Sequence, residues 1–129
     1  MSIRIVQLGS PRLAGEGLRL GTVRRPPRGV PKSEFATRNF YDVWLPILSP
    51  SEELLKEGKL SSEDRAWAIF RKKFLAEMNR PDPSRVLDLL AAFSHRTSFS
   101  MGCYCEDENR CHRSILKELL LERRADLAS

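Results

Sequence analysis

The chain lacks the features of a membrane or secreted protein. It has three cysteines and two histidines among 129 residues, and no stretch approaches the roughly 20 apolar residues that a spanning helix needs. An odd number of closely spaced cysteines is not the pattern of a secreted disulfide framework. The strand-like start also lacks the charged-then-apolar layout of a signal peptide. We therefore expect a cytoplasmic protein that makes no membrane contact.

Common catalytic motifs are missing as well. The sequence contains no serine-hydrolase elbow, no Walker phosphate loop, no glycine-rich dinucleotide fingerprint and no internal repeat. With 41% hydrophobic and 30% charged residues, it is typical of one globular domain with a single core. The sequence thus predicts one domain over residues 1–129, without a standard active-site motif.

The net charge of +5 is concentrated in one segment. Residues 11–40 carry seven basic and two acidic side chains, whereas the rest of the chain has 15 of each. A localised basic surface favours an anionic partner, which can be an anionic small molecule, a nucleotide or a nucleic acid. A solvated arginine-rich loop that binds nothing explains the composition equally well. The candidate anion-binding residues in this basic loop segment are Arg24, Arg25 and Arg28.

The hydrophobic pattern predicts strands. Three runs have strand propensity, and the segment from Phe40 to Leu45 fits either a strand or a helix. The three runs extend from Ile3 to Leu8, from Leu18 to Arg25 and from Thr97 to Tyr104.

The same pattern predicts four helices. The first begins near Ser49 and stops at Gly58, and the second, capped by Ser61 or Ser62, extends to about Asn79. Pro81 to Ser84 cap the third, and Asn109 caps the last. Their expected buried faces are Trp67, Phe70, Phe74 and Met78 in the second, Val86, Leu89, Leu90 and Phe93 in the third, and Ile115, Leu116, Leu119 and Leu120 in the last. The sequence therefore predicts a small single α/β sandwich, with a short sheet of about three or four strands packed with about four helices.

All three cysteines and one histidine lie together in the sequence. Cys103, Cys105, Cys111 and His112 fall within ten residues, between the last predicted strand and the last predicted helix. Open α/β sheets bind their ligands at such strand ends. This run is therefore the candidate functional site.

The favoured interpretation of the run is an anion or phosphate pocket, which a nucleotide would also fit. Cys111 would lie in the first helical turn beside Arg110, His112 and Arg113, conditions that lower a thiol pKa. The helix amides, Arg113 and Arg28 would hold the anion. If the protein is an enzyme, Cys111 is the expected nucleophile, His112 the proton carrier and Arg113 the anion clamp.

A zinc site is the alternative interpretation. Cys103, Cys105, Cys111 and His112 could supply three thiolates and one imidazole to tetrahedral zinc. However, their spacing is not that of common zinc modules, and adjacent residues of a helix diverge by about 100°. We therefore predict no cofactor, with zinc as the alternative. A reversible disulfide and buried unreactive thiols, among which Cys103 fits best, also remain open.

Several motifs resemble one known family over residues 3 to 122. The loop from Arg25 to Lys32 resembles the Pro-Arg-Gly-Val-x-Lys loop of the YeaO-like group, domain-of-unknown-function family 488. Cys105-Glu106 with Cys111-His112-Arg113 resembles the Cys-x-Glu…Cys-His-Arg signature of another branch of that family. Similar matches are Trp44-Leu45, Leu48 to Ser51, and the helix with Trp67, Phe70 and Glu77.

The chain also departs from the family pattern. The tryptophan that usually precedes Pro-Arg-Gly is replaced near Arg25-Pro26, and Cys103 is not part of the motif. The resemblance implies a compact α/β fold and implies no activity.

Overall fold

Four parallel strands form the centre of the protein, which a computed structural model describes at residues 2–58, 64–105 and 107–128. The strands lie in the order β1-β4-β2-β3, and every pair is parallel. Their bounds are β1 Ile3–Gln7, β2 Leu18–Gly21, β3 Val43–Trp44 and β4 Phe99–Cys103. The segment that fitted either a strand or a helix therefore contains the short edge strand β3.

Four helices pack with this sheet. Their bounds are α1 Glu52–Gly58, α2 Asp64–Met78, α3 Pro81–Phe93 and α4 His112–Glu122. The predicted α/β fold, with a short sheet and four helices, is confirmed. No helix in the described ranges is long and apolar enough to cross a membrane.

Strand β4 is the innermost element. It pairs with β1 from Ile3 to Gln7 and with β2 from Leu18 to Gly21, and all five of its residues are buried. A Cβ at Gly102 would lie 2.6 Å from the carbonyl oxygen of Val6, so this position requires glycine. Because all the strands are parallel, β4 and its neighbours end at the same edge of the sheet.

The predicted helix faces are only partly correct. The apolar face of α4 is buried as predicted, and Phe74 and Met78 of α2 are buried with it. In α3, however, Leu89 and Phe93 are about half exposed, at 52% and 47%. Leu90 is buried as predicted, but it is buried together with Pro83, Leu87 and Ala91. Its sequence has apolar residues on two faces, and periodicity alone did not identify the one that meets the core.

Several predicted boundaries are also wrong. Strand β2 ends at Gly21 rather than Arg25: the Thr22 N–H still bonds the Gly102 carbonyl oxygen at 3.0 Å, but the Thr22 carbonyl oxygen bonds His112 and not β4. Helix α3 already begins at Pro81, whose fixed backbone suits a first helical turn. The proposed caps Ser61 and Ser62 lie outside the described residues.

A buried ion pair ties the segment before β2 to the sheet. Arg19 is fully buried, and its Nε and Nη2 donate to the two carboxylate oxygens of Glu16, each at 2.9 Å. Ser100 on β4 donates to the same carboxylate at 2.9 Å. The remaining bonds of the guanidinium go to the carbonyl oxygens of Ser10 and Asn39. Each guanidinium nitrogen of Arg19 therefore has a hydrogen-bond partner within the protein.

Removing one partner of this pair should destabilise the protein strongly. We expect Glu16→Gln to lower the free energy of unfolding by about 3–5 kcal/mol, because the Arg19 charge would stay buried without a counter-ion. Glu57→Gln is the matched control, since Glu57 pairs with Lys73 where both are about half exposed; we expect a loss below about 1 kcal/mol. Urea unfolding measures both, and equal losses would contradict the assignment.

The same pair predicts acid sensitivity. Burial raises the pKa of Glu16, but the bonds from Arg19 and Ser100 outweigh it and hold the pKa below its ordinary 4.5. The stability it contributes is therefore present above about pH 4.5 and is lost as the pH falls through the lowered value. The difference in unfolding free energy between wild type and Glu16→Gln should shrink over that range.

Any loss of stability in acid that remains in Glu16→Gln would come partly from the protonation of Asp42. Burial raises the pKa of this carboxyl group too, but Arg12 and the Arg19 backbone N–H lower it overall. A difference between wild type and Glu16→Gln that stays constant throughout acid unfolding would contradict the role of Glu16.

Candidate functional site

The structure brings the three cysteines and His112 into one cluster. The ligand atoms of Cys103, Cys111 and His112 all lie within 4.8 Å of one another. The Sγ atoms of Cys103 and Cys105 are 3.7 Å apart, and Cys111 Sγ is 3.7 Å from His112 Nδ1. Cys103, Cys111 and His112 are buried, whereas Cys105 is exposed. The cluster thus has three buried members and one that reaches solvent.

The N-cap of α4 is Cys111, not Asn109. A short 3-10 turn, Glu108–Arg110, precedes the helix, and Cys111 has extended backbone angles of −121° and 151°. Its thiol makes no capping hydrogen bond. Since Cys111 is not yet helical, the divergence expected of adjacent helical residues does not apply. Its side chain therefore reaches the same point as that of His112.

The ring of His112 is held from two sides. Its Nε2 lies 2.6 Å from the carbonyl oxygen of Thr22, and Phe74 of α2 packs edge-on against it, with ring centroids 5.6 Å apart. A carbonyl oxygen can only accept, so Nε2 carries the proton and donates. In the neutral ring, Nδ1 then carries the lone pair, and this nitrogen faces Cys111.

The thiols influence one another's ionisation. The hydrogen bond from Cys103 lowers the pKa of the Cys105 thiol. The pKa of Cys103 itself is raised, because its thiol keeps the proton that it donates. Arg113 adds to the lowering at Cys105 through its charge. A hydrogen bond from Cys103 also lowers the pKa of Cys111. The cluster thus favours negative charge on sulfur.

A cleft of about 550 Å³ opens over the cluster. It lies at the carboxyl ends of β2 and β4, where an open α/β sheet is expected to bind its ligand. Thiols and the imidazole line one part of it and cationic side chains line another. These residues include Arg24, Arg25, Lys56, Cys103, Cys105 and His112.

The predicted anion-binding residues have different surroundings. Arg24 and Arg25 line the cleft, although Arg24 donates to the carbonyl oxygens of Ser49 and Pro50 and Arg25 pairs with Glu52 at 3.2 Å. Arg28 is exposed and is not among the described residues that line the cleft.

Arg113 has a supporting position. Only 4% of its surface is exposed, and it donates to the Cys105 carbonyl oxygen at 2.6 Å. Arg110 pairs with Asp64 of α2 instead of facing the thiols. Cys111, the expected nucleophile, is 2% exposed. Glu106, which belongs to the resembled motif, lies outside the described residues.

Sequence reasoning missed three contributors to the site. Lys56 lines the cleft from α1, and Tyr104 both lines it and donates through its hydroxyl to the Arg25 carbonyl oxygen at 2.9 Å. Thr22 contributes a backbone carbonyl oxygen, which no side-chain pattern can reveal. The position of Tyr104 between two cysteines was the only available signal.

The fold and the cluster define a class: a small parallel α/β protein with a cysteine–histidine centre at the carboxyl edge of its sheet. The chain matches the family model DUF488-N3a, described as the active DUF488-N3 subclade, over residues 3–124, and it belongs to that family. The resemblance to family 488 is thereby confirmed. No curated protein and no solved structure matches the chain.

Proposed function

We propose that Cys103, Cys105, Cys111 and His112 bind one zinc ion at the floor of the cleft. The observation that carries this proposal is the close approach of four zinc-type donor atoms in two pairs, each 3.7 Å apart. In a tetrahedral site with Zn–S bonds of about 2.3 Å, neighbouring sulfurs are about 3.8 Å apart. Within each pair the observed spacing already fits that geometry, whereas the ligand atoms of Cys103, Cys111 and His112 lie within 4.8 Å of one another and would draw together by up to about 1 Å on binding.

The surroundings of His112 support a metal ligand. Histidines that bind zinc through one ring nitrogen usually donate from the other to a carbonyl or carboxylate oxygen, which fixes the ring. The bond from Nε2 to Thr22 has this form, and it leaves Nδ1 facing the sulfurs. Thiolate and imidazole are the ligands that zinc shares across its protein sites.

The exposed position of Cys105 allows two forms of the site. With Cys105 bound, zinc has four protein ligands, as in closed structural sites. With Cys105 displaced, two thiolates and one imidazole remain and the fourth position opens to the cleft, the arrangement of catalytic zinc sites.

Metal analysis tests this proposal. Reduced protein, supplied with zinc and then desalted, should contain one equivalent by elemental analysis, and a chelator should lower its melting temperature, because bound metal stabilises the folded state. Cys111→Ser and His112→Gln should lose the metal. His95→Gln is the matched control, because His95 is exposed and bonds the Arg124 carbonyl oxygen away from the cluster.

The alternative outcome is equally clear. Wild-type protein that holds no more zinc than His112→Gln under these conditions would overturn the zinc site. The cluster would then be a set of thiols around a histidine, consistent with the reactive-cysteine interpretation.

Anion binding in the same cleft is a second candidate function. The observation that favours it is that Arg24, Arg25 and Lys56 line the cleft beside the thiols. Convergent cations at a concave surface raise the local concentration of anions. Arg24 is largely committed to backbone carbonyl oxygens and Arg25 shares its charge with Glu52, which also lines the cleft, so Lys56 and the solvent-exposed Arg25 would contribute most of the attraction.

Charge removal tests the anion site. Binding of inorganic phosphate should weaken at least about tenfold in the double variant Arg25→Gln, Lys56→Gln, and should weaken with added salt, since exposed charges are screened. Lys73→Gln is the control, because Lys73 pairs with Glu57 away from the cleft. Calorimetry that finds equal affinity in the double variant and the control would contradict this function.

A further inference from the structure

A second cavity lies on the other side of the segment that forms the cleft wall. Its volume is about 420 Å³, within the range of small-molecule sites. Val23 and Arg25 line the cleft, whereas the next residue, Pro26, lines this cavity. The two cavities therefore flank one short stretch of chain.

Three aromatic side chains line this second cavity: Phe35, Tyr41 and Trp44. The rings of Phe35 and Tyr41 pack edge to face, with centroids 5.3 Å apart. Tyr41 is buried against β2, where a Cβ at Gly21 would lie only 2.3 Å from its ring. This part of the wall is thus rigidly held.

Trp44 is fixed in orientation but open to solvent. Its indole N–H donates to the Val23 carbonyl oxygen at 2.7 Å, while 44% of the residue remains exposed. An exposed aromatic face held in one orientation stacks planar rings at a small entropic cost. The hydrogen bond also links Trp44 directly to the wall of the cleft.

One cation, Lys32, and one carboxylate, that of Asp42, line the cavity. The Asp42 carboxylate is already bonded by Arg12 and by the Arg19 backbone N–H. Lys32 is exposed, and within the described part of the chain no carboxylate pairs with it. A ligand with a flat ring and a negative group would satisfy both the aromatic wall and this cation.

We infer that this cavity holds the base of a nucleotide. The inference deepens the anion-binding role proposed for the cleft and rests on it for the position of the phosphate, which would lie toward Arg25. A nucleobase supplies the planar ring that stacks on an exposed indole, and its phosphate supplies the charge that Lys32 and Arg25 attract.

Tryptophan fluorescence tests the base site with AMP as the probe. In Trp67→Phe the only remaining tryptophan is Trp44, and its emission should change saturably as AMP is added. In Trp44→Phe the remaining Trp67, which stacks on Phe70 of α2, should not respond. Calorimetry should show that Trp44→Ala weakens AMP binding about 5- to 150-fold, the range for loss of one base–aromatic stack.

Val43→Ala is the matched control for that variant. Val43 precedes Trp44 on the same edge strand and is equally exposed, at 44%, but it is not among the residues that line the cavity. Its AMP affinity should stay within about twofold of wild type. Equal losses in Val43→Ala and Trp44→Ala would overturn the inference, because the effect would then come from the strand.

Two further ligands test the base site and the anion site independently. Ribose 5-phosphate carries the phosphate without the base, and adenosine carries the base without the phosphate. If ribose 5-phosphate binds as tightly as AMP and Trp44 emission does not change, the base site is wrong while the anion site stands. If adenosine changes Trp44 emission but ribose 5-phosphate does not bind, the base site stands and the anion site is wrong.

Discussion

Parallel pairing of β4 with β1 on one side and β2 on the other governs the position of every candidate functional group. Because the strands run in one direction, Cys103 at the end of β4 and Thr22 just past β2 emerge at the same edge of the sheet. Helix α4 begins at that edge and brings Cys111 and His112 to them. The close fit of Gly102 against Val6 keeps β4 in register. The chemistry of the cluster thus depends on an apolar strand that contributes only one of its residues.

The basic segment serves the fold as well as any ligand. Its composition suggested a surface for anions, but Arg19 is buried against Glu16 and Arg12 is paired with Asp42. Arg24 is bonded to backbone carbonyl oxygens. Net charge counted along a sequence therefore overestimates the charge available to a partner, since it cannot separate cations that hold the chain together from cations that face solvent.

The type of fold and the location of the site could be predicted from the sequence better than the geometry of the site could. Strand β4 and the buried face of α4 were predictable because hydrophobic periodicity reports burial directly. The buried face of α3 was not, because its sequence offers Leu89 and Phe93 on one side and Leu87 and Ala91 on the other. The extended backbone at Cys111 was also missed: cysteine is not a usual N-cap residue, and its conformation decides whether the cluster can close around a metal.

Arg113 places a buried positive charge beside the cluster, and that charge has to be compensated. Its guanidinium is almost fully buried, its Nε has no hydrogen-bond partner, and no carboxylate pairs with it in the described ranges. A buried cation needs a compensating charge nearby. Zinc with three thiolates and one imidazole carries one excess negative charge, so the ion, its ligands and Arg113 would together be neutral. With zinc bound as proposed, the arginine next to the histidine would be the counter-ion of the whole centre, and the sulfurs that bind the metal would also compensate the guanidinium beside them.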